Sequence, residues 1–214
     1  MDLMEKTVSY STKNTYVTHN TLTSKTKNVW FVFHGIGYLS KFFIKYFQDL
    51  DPDENYIIAP QAPSKYYLKN EYKYVGASWL TKENTLEETG NIINYLDAVF
   101  DAEQILPEHN LILFGFSQGV SIATRWAAKR KIKFQNLVLY AGGIPNELKR
   151  EDFDYLDWNL SKVKIVFGNK DEYMNRERLN MEKTKITDLF RENAKIISFE
   201  GGHEMKPEII KTLI

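Results

Sequence analysis

The sequence contains no cysteine, and this absence excludes disulfide bonds, thiol catalysis and thiolate metal sites. It is consistent with a reducing compartment, so we expect a cytoplasmic protein. Basic residues (Lys and Arg) and acidic residues (Asp and Glu) number 28 each, so the formal net charge is zero. Composition therefore gives no electrostatic reason to expect nucleic acid or an anionic membrane as a partner.

Long hydrophobic runs are also absent. No stretch approaches the length of a membrane span, and the first residues contain no apolar core of signal-peptide length, so we expect no stable membrane insertion. The chain has no internal repeats, low-complexity tracts or linker. Its 214 residues can form one well-filled core. We therefore expect a single domain over residues 1–214. The sequence predicts no particular oligomeric state.

Short apolar runs alternate with segments of helical periodicity from residue 28 onward, which predicts an α/β fold with a mostly parallel central sheet and helices on both faces. The predicted strands are Asn28–Phe33, Tyr56–Ala59, Leu111–Phe114, Leu137–Tyr140, Val163–Phe167 and Ile196–Phe199. The predicted helices are Lys41–Leu50, Thr85–Phe100, Val120–Arg130 and a short one after Pro207. Val8–Tyr10 and Tyr16–Val17 flank a polar turn and predict an antiparallel N-terminal hairpin. The interval between Gly143 and Val163 leaves no room for a separate cap domain.

Leu111 to Gly119, LILFGFSQG, is the stretch that points to chemistry. It predicts a strand, a tight turn and a helix, the context that a G-x-S-x-G nucleophile elbow requires. Such a turn lifts the serine, Ser117, out of the sheet in a strained conformation. Gly115 and Gly119 lack a Cβ and so let the strand and the helix pass closely. Ser117 is therefore the candidate nucleophile.

A serine hydroxyl needs a base, and histidine is the usual one near neutral pH. His19 lies in the N-terminal region, and His109 precedes the elbow strand, which places it at the opposite end of the sheet. His34 begins the glycine-containing segment HGIG and fits an oxyanion loop better. His203 follows the last strand after two glycines, so elimination favours His203 as the base.

The histidine in turn needs a carboxylate to hold its tautomer. Asp171 follows the strand between the elbow and His203, which produces the chain order Ser, Asp, His. Glu172 is the nearest competitor, and three further acids precede that strand: Asp152, Asp154 and Asp157. Position and order favour Asp171.

A developing oxyanion needs two preorganised donors. The N–H after the nucleophile, that of Gln118, is one candidate. The Ile36 N–H is the other, in a turn that Gly35 and Gly37 allow. This turn lacks the Lys-Ser/Thr of a P-loop and the third glycine of a dinucleotide fingerprint. No His, Asp and Glu cluster has metal-ligand spacing, so we expect neither a metal nor a cofactor.

As a set, these segments resemble the α/β-hydrolase superfamily, and within it the small cap-less carboxylesterases related to acyl-protein thioesterases. The similar segments are HGIG (His34–Gly37), GFSQG (Gly115–Gly119), AGGIP (Ala141–Pro145), GNKDE (Gly168–Glu172) and FEGGH (Phe199–His203). The resemblance implies a Ser117–Asp171–His203 triad with Ile36 and Gln118 at the oxyanion hole. It also implies that Trp79, in ASWL, lies near the substrate pocket.

The leading hypothesis is hydrolysis of small-molecule carboxylic esters or thioesters through an acyl-serine intermediate. Ile144 and Met174, with Trp79, are the candidate apolar lining of a shallow substrate groove. A peptidase or acyltransferase on the same triad is one alternative, because this fold carries many chemistries. A non-catalytic scaffold that keeps the fold is another. The acyl and leaving groups cannot be read from the sequence.

Overall fold

A computed structural model of the chain describes residues 3–69, 71–174 and 176–214. Within these ranges the strands are β1 (Tyr16–His19), β2 (Asn28–Phe33), β3 (Asn55–Pro60), β4 (Ser64–Leu68), β5 (Tyr74–Ser78), β6 (Asn110–Phe116), β7 (Asn136–Tyr140), β8 (Lys162–Gly168) and β9 (Ala194–Phe199). The helices are α1 (Ser40–Phe43), α2 (Thr85–Ala102), α3 (Gln118–Arg130), α4 (Arg176–Phe190) and α5 (Pro207–Ile210). Short 3₁₀ segments lie at Ile44–Phe47, Arg150–Phe153 and Arg191–Asn193.

The central sheet of the described residues runs in the order β1–β3–β2–β6–β7–β8–β9. β1 is antiparallel to β3, and the other neighbouring pairs are parallel. Phe33 pairs with Gly115, and Phe116 pairs with Tyr140, so β2, β6 and β7 end at a common edge. The predicted mostly parallel α/β sheet is confirmed.

The antiparallel edge is present, but the predicted N-terminal hairpin is wrong in its pairing. Val8–Tyr10 forms no strand, and the side chains of Val8 and Tyr10 are 87% and 83% exposed. β1 pairs instead with β3, a strand that is buried throughout. An isolated two-stranded hairpin is marginally stable, whereas β1 gains the edge of a sheet that already has a core.

Both faces of the sheet are covered, as the alternation in β2 illustrates. Val29, Phe31 and Phe33 pack into one core, while Trp30 and Val32 pack into the other. Successive side chains point to opposite faces of a strand, so a continuous apolar run can be stable only when both faces are buried. Each large apolar side chain buried this way contributes about 1.5–3 kcal/mol.

The helices divide between these two cores. α2, α3 and α4 cover one face through residues such as Leu96, Trp126 and Phe190. α1 and α5 cover the other face through Phe43 and Ile210. No helix in the described ranges is both long enough and apolar enough to span a bilayer.

Three of the strands and helices, β4, β5 and α4, have no counterpart in the sequence prediction. β4 and β5 form a separate two-stranded antiparallel sheet whose residues 64–67 and 74–75 are exposed, so no buried face marks it in the sequence. α4 has the sequence RERLNMEKTKITDLF, in which charged and polar residues dominate. A helix of this composition shows little apolar periodicity, and Ile186, Leu189 and Phe190 supply its buried contacts near its end.

The turn from β6 into α3 depends on backbone packing that leaves no space for side chains. A Cβ at Gly115 would stand 2.5 Å from the carbonyl oxygen of Gly119, and a Cβ at Gly119 would clash with the carbonyl oxygen of Phe33. The start of α3 therefore lies directly against the ends of β6 and β2. This contact sets the direction in which α3 leaves the sheet.

We predict that Gly119→Ala lowers the free energy of unfolding by about 1–3 kcal/mol or more, because the added methyl group must displace backbone. Gly90→Ala is the matched control. Gly90 is exposed inside α2 with nothing within 4 Å of its Cβ position, so alanine should raise stability there by about 0.5–1 kcal/mol. Urea unfolding measures both. Equal effects of the two substitutions would contradict the packing argument.

Candidate active site

The side chains predicted to form the triad follow different strands but meet at one edge of the sheet. Ser117 comes directly after β6, Asp171 follows β8, and His203 follows β9. These strands run parallel within one half of the sheet, in which β7 lies between β6 and β8 and β9 follows β8, so their carboxyl ends face the same crevice.

These three side chains form a continuous hydrogen-bonded chain. His203 Nε2 lies 3.0 Å from Ser117 Oγ, and His203 Nδ1 lies 2.8 Å from Asp171 Oδ2. A carboxylate can only accept, so Nδ1 carries the proton and Nε2 is the atom that accepts from the serine hydroxyl. The Asp171 carboxylate is fully buried, while the imidazole is 20% exposed. The arrangement can take a proton from Ser117 on the side that faces solvent.

The backbone of Ser117 is held in an unusual conformation, with φ of 52° and ψ of −117°. Its N–H donates to the carbonyl of Tyr140 at 2.8 Å, and its carbonyl accepts from the Val120 N–H at 3.1 Å. A Cβ at Gly142 would clash with the Ser117 carbonyl oxygen. The strained residue is thus fixed from β7 on one side and from α3 on the other.

The imidazole of His203 is positioned by aromatic rings and by the acid loop. Its centroid lies 5.2 Å from that of Phe116 and 4.8 Å from that of Tyr173. The other carboxylate oxygen of Asp171, Oδ1, accepts from the Tyr173 N–H at 2.9 Å. Neither ring was predicted from the sequence to contact His203. Phe116 could have been found as the elbow residue before the serine, but nothing in the sequence marks Tyr173.

The competing histidines are engaged elsewhere. His34 is fully buried; its Nδ1 bonds to the Gly35 carbonyl at 2.8 Å, and its Nε2 accepts from the Ala62 N–H at 3.1 Å. Burial lowers the pKa of His34 to about 4. His109 Nδ1 accepts from the Leu106 N–H at 3.2 Å. His19 lies in β1, at the far edge of the sheet.

The competing acids also lie apart from the imidazole in the described residues. Asp152 accepts from the Lys149 N–H at 2.8 Å, and Asp157 accepts from the Asn159 N–H at 2.9 Å. Glu172 and Asp154 are exposed. Asp171 is the carboxylate that the fold brings to His203.

The loop after β2 passes close to the serine. A Cβ at Gly35 would stand 3.1 Å from the Ser117 Cβ, and Gly37 has φ of 85°, which favours glycine. The Gly37 N–H donates to Ala77 in β5 at 2.8 Å. Among the described residues, no backbone acceptor bonds the N–H of Ile36 or of Gln118. Both N–H groups belong to residues that line the cleft beside Ser117.

The side chain of Gln118 connects this loop region to the start of α3. Its Oε1 accepts from the Trp79 N–H at 2.8 Å, and its Nε2 donates to the Leu80 carbonyl at 2.7 Å and to Ser78 Oγ at 3.0 Å. The segment after β5 is therefore hydrogen-bonded to the residue that follows Ser117. This role of the Gln118 side chain was not predicted from the sequence, which indicated only its backbone N–H.

The three residues predicted to line the substrate groove have different locations. Trp79 is 1% exposed, and its indole N–H donates to the His34 carbonyl at 2.8 Å, so it supports the loop after β2 from behind and does not reach the cleft. Ile144 is 4% exposed and lines a separate apolar cavity of about 10 Å³. Met174 lines both that cavity and the cleft. A cavity of this size holds about one water-sized probe, so it admits no acyl chain as it stands.

The cleft itself has a volume of about 660 Å³, within the range of small-molecule sites. It is open to solvent and mixes apolar and polar groups. Its lining consists of Ile36, Tyr38, Phe116, Ser117, Gln118, Ser121, Ala141, Gly142, Gly143, Tyr173, Met174, Arg178 and His203.

Comparison with known proteins matches residues 16–214 to a family model described as phospholipase/carboxylesterase. Acyl-protein thioesterase 2 of Zea mays is structurally similar, with a TM-score of 0.70, 15% identity, and coverage of 94% of this chain and 96% of that one. Esterase PE8 has a TM-score of 0.69 and 18% identity, covering 95% and 100%. A phospholipase/carboxylesterase from Dyadobacter fermentans DSM 18053 has a TM-score of 0.65 and 22% identity, covering 95% of each chain. A search of curated protein sequences found no match.

The buried His34 should make stability depend on pH. Its pKa is about 4 in the folded protein and near 6.5 when unfolded, so folding favours the neutral ring. The resulting stabilisation is present above pH 6.5 and is lost as the pH falls towards 4, by on the order of 3 kcal/mol.

We predict that His34→Asn, which keeps a donor near the Gly35 carbonyl, loses less stability between pH 6.5 and pH 4 than the native chain does. Urea unfolding at several pH values measures the two slopes. Because other groups also titrate in this window, the difference between the slopes is the informative quantity. Parallel curves would contradict a neutral His34 in the fold.

Proposed function

The chain belongs to the phospholipase/carboxylesterase family of α/β-hydrolases, and from this premise we propose that it hydrolyses carboxylic esters or thioesters through an acyl–Ser117 intermediate. The observation that carries the proposal is the hydrogen-bonded chain from Ser117 Oγ through His203 to the buried Asp171, beside an open cleft. A serine in that arrangement has the base that nucleophilic attack requires.

In acylation, Ser117 Oγ attacks the substrate carbonyl carbon while His203 Nε2 takes the hydroxyl proton. Asp171 holds the Nδ1–H tautomer and stabilises the imidazolium that forms. The imidazolium then gives its proton to the departing alcohol or thiol, and the acyl group stays on Ser117. In deacylation, His203 takes a proton from water, the resulting hydroxide equivalent attacks the acyl carbon, and Ser117 Oγ recovers the proton.

The tetrahedral intermediate of each step carries a negative oxygen. The N–H groups of Ile36 and Gln118 are the proposed donors to it, since both residues line the cleft with Ser117 and no backbone acceptor in the described residues takes either N–H. The hydrogen bonds of the Gln118 side chain to Trp79 and Leu80 support this geometry by fixing the residue. Removing one such donor typically lowers the rate by roughly 10²–10³-fold.

We predict that a fluorophosphonate probe labels the native protein and that p-nitrophenyl esters are hydrolysed, whereas Ser117→Ala abolishes both. Peptide mapping of the adduct should locate it on Ser117. Ser121 is the informative comparison, because its hydroxyl lines the same cleft but donates to the Gln118 carbonyl at 2.9 Å. An adduct on Ser121, or no labelling and no ester turnover, would count against the proposed function. Turnover of peptides without esters would favour a peptidase.

We predict that Asp171→Asn lowers kcat by about 10⁴-fold, because an amide in place of the carboxylate stabilises the wrong imidazole tautomer. Asp152→Asn is the matched control, since that carboxylate accepts from a backbone N–H at a 3₁₀ segment away from His203. Steady-state kinetics with one ester measures both variants. Similar losses in the two variants would remove Asp171 from the proposed mechanism.

A further inference from the structure

The side chain of His34 contacts the loop that contains Ile36, one of the two proposed oxyanion donors. His34 directly follows β2 and is fully buried. Its Nδ1 lies 2.8 Å from the carbonyl oxygen of Gly35, and its Nε2 accepts from the Ala62 N–H at 3.1 Å. The imidazole therefore lies between the loop after β2 and the segment after β3. The proton transfers of the proposed reaction do not involve this ring.

The partners of the imidazole determine its tautomer. A backbone N–H can only donate, so the Ala62 N–H requires a lone pair on Nε2. Gln61 presents a second donor to the same atom. Its Oε1 accepts from the Ser40 N–H at 3.0 Å, which leaves its amide nitrogen to face His34 Nε2 at 3.4 Å. Burial lowers the pKa of His34 to about 4, so the ring is neutral near neutral pH. Nδ1 therefore carries the proton and donates to the Gly35 carbonyl.

The Gly35 carbonyl and the Ile36 N–H belong to the same peptide unit. This peptide is trans, so its C=O and its N–H lie in one plane and point in opposite directions. The carbonyl points at the buried ring of His34. The N–H of Ile36 then points away from that ring, and Ile36 is a residue that lines the cleft. The direction of this N–H therefore depends on whatever holds the Gly35 carbonyl in place.

Other groups hold the loop on either side of this peptide. The His34 carbonyl accepts from the indole N–H of Trp79 at 2.8 Å, and the Gly37 N–H donates to a carbonyl of β5 at 2.8 Å. The peptide between these two anchors begins at Gly35, which has no Cβ to restrict its rotation. Its carbonyl also accepts from the Tyr38 N–H, but at a longer distance of 3.3 Å. The bond from the imidazole is thus the shorter of the two contacts that orient it.

Resting on the proposed ester hydrolysis, we propose that His34 is a positioning residue that directs the Ile36 N–H at the oxyanion of the tetrahedral intermediate. It acts through the Gly35 carbonyl and does not touch the substrate. A donor stabilises the transition state most when it already points to the place where charge develops, because no reorganisation is then needed. The ring does this as the neutral Nδ1–H tautomer, which the donors at Nε2 maintain.

Two substitutions in the full chain separate the roles of the two ring nitrogens. The amide nitrogen of asparagine is as many bonds from Cα as Nδ1 is, so His34→Asn can still donate to the Gly35 carbonyl. The amide group of glutamine is as many bonds from Cα as Nε2 is, so His34→Gln keeps a partner for the Ala62 N–H but loses the bond to Gly35. His109→Gln is the matched control. His109 is also buried, and it precedes β6, at the opposite end of that strand from Ser117.

We expect His34→Gln to lower kcat for a p-nitrophenyl ester by about 10- to 100-fold with little change in KM, because a misdirected oxyanion donor should cost no more than a missing one. His34→Asn should lose clearly less, and His109→Gln should match the native protein. The fluorophosphonate probe counts the active sites, so that unfolded protein does not enter the comparison. Equal losses in His34→Asn and His34→Gln, or a change confined to KM, would overturn the proposal.

A trifluoromethyl ketone inhibitor provides a measurement that a merely structural role would not change. Ser117 Oγ adds to its carbonyl carbon, the hydroxyl proton passes to His203 Nε2, and the carbonyl oxygen becomes an oxyanion. The inhibition constant should rise in His34→Gln by about the factor by which kcat/KM falls, because this adduct and the transition state use the same donors. An unchanged inhibition constant beside a lowered kcat would contradict the role of His34 at the oxyanion.

The tautomer itself can be measured in the native chain, which decides the matter if His34→Gln does not fold. Long-range ¹H–¹⁵N spectra distinguish the two tautomers of each of the four histidines, and the resonances of His34 are those missing from His34→Asn. We expect the Nδ1–H form, and the Nε2–H form would overturn the proposal. Failure of the proposed function is different: no ester would be hydrolysed and Ser117 would not be labelled, whatever the tautomer, and the inference would then fall with it.

Discussion

Contact between backbones at the turn from β6 to α3 is the constraint on which the site depends. The carbonyl of Phe33 and the carbonyl of Gly119 occupy the space that side chains at Gly119 and Gly115 would need. This contact fixes the start of α3 against two parallel strands, and Ser117 takes up the remaining strain with φ of 52°. Strain of about 1–3 kcal/mol persists only where the surroundings over-determine the conformation. Here the hydrogen bond to Tyr140 and the packing of α3 do so.

A second set of buried contacts, formed by hydrogen bonds, fixes the loop after β2 relative to the elbow. The indole of Trp79 donates to the His34 carbonyl, the neutral ring of His34 accepts from the Ala62 N–H, and Gln118 binds the Trp79 N–H. These bonds connect β2, the segment after β5 and the first residue of α3. Because each donor and acceptor is buried or partly buried, losing one leaves an unsatisfied polar group. The loop is consequently held at its distance from Ser117 by polar contacts inside the core, together with the backbone hydrogen bond from Gly37 to Ala77.

The sequence was sufficient to predict which residues strand order brings to one edge of the sheet. It was not sufficient where the location of a residue depends on the direction in which its side chain points. Ser117, Asp171 and His203 could be placed together because parallel strands end at one edge. Trp79 could not be placed, since an indole after a strand can face either the cleft or the core, and its hydrogen bond to His34 is visible only in three dimensions. The helix α4 was not predicted, because its apolar residues are sparse and its many charged residues resemble those of a solvated loop. The pairing partner of β1 was wrongly predicted, because an edge strand can pair either with a neighbouring hairpin strand or with a strand of the main sheet.

The two kinds of element contribute differently to the proposed activity. The sheet and the elbow bring Ser117, His203 and Asp171 within hydrogen-bonding distance of one another, so in the proposed activity they decide which bond reacts. The elements with weak sequence signals, the segment that begins α4 and the loop bearing Tyr173 and Met174, form the opposite wall of the cleft. We expect amino-acid changes in that wall to alter which substrate fits without disturbing the elbow, since the backbone atoms that crowd Gly119 belong to Phe33 and His34.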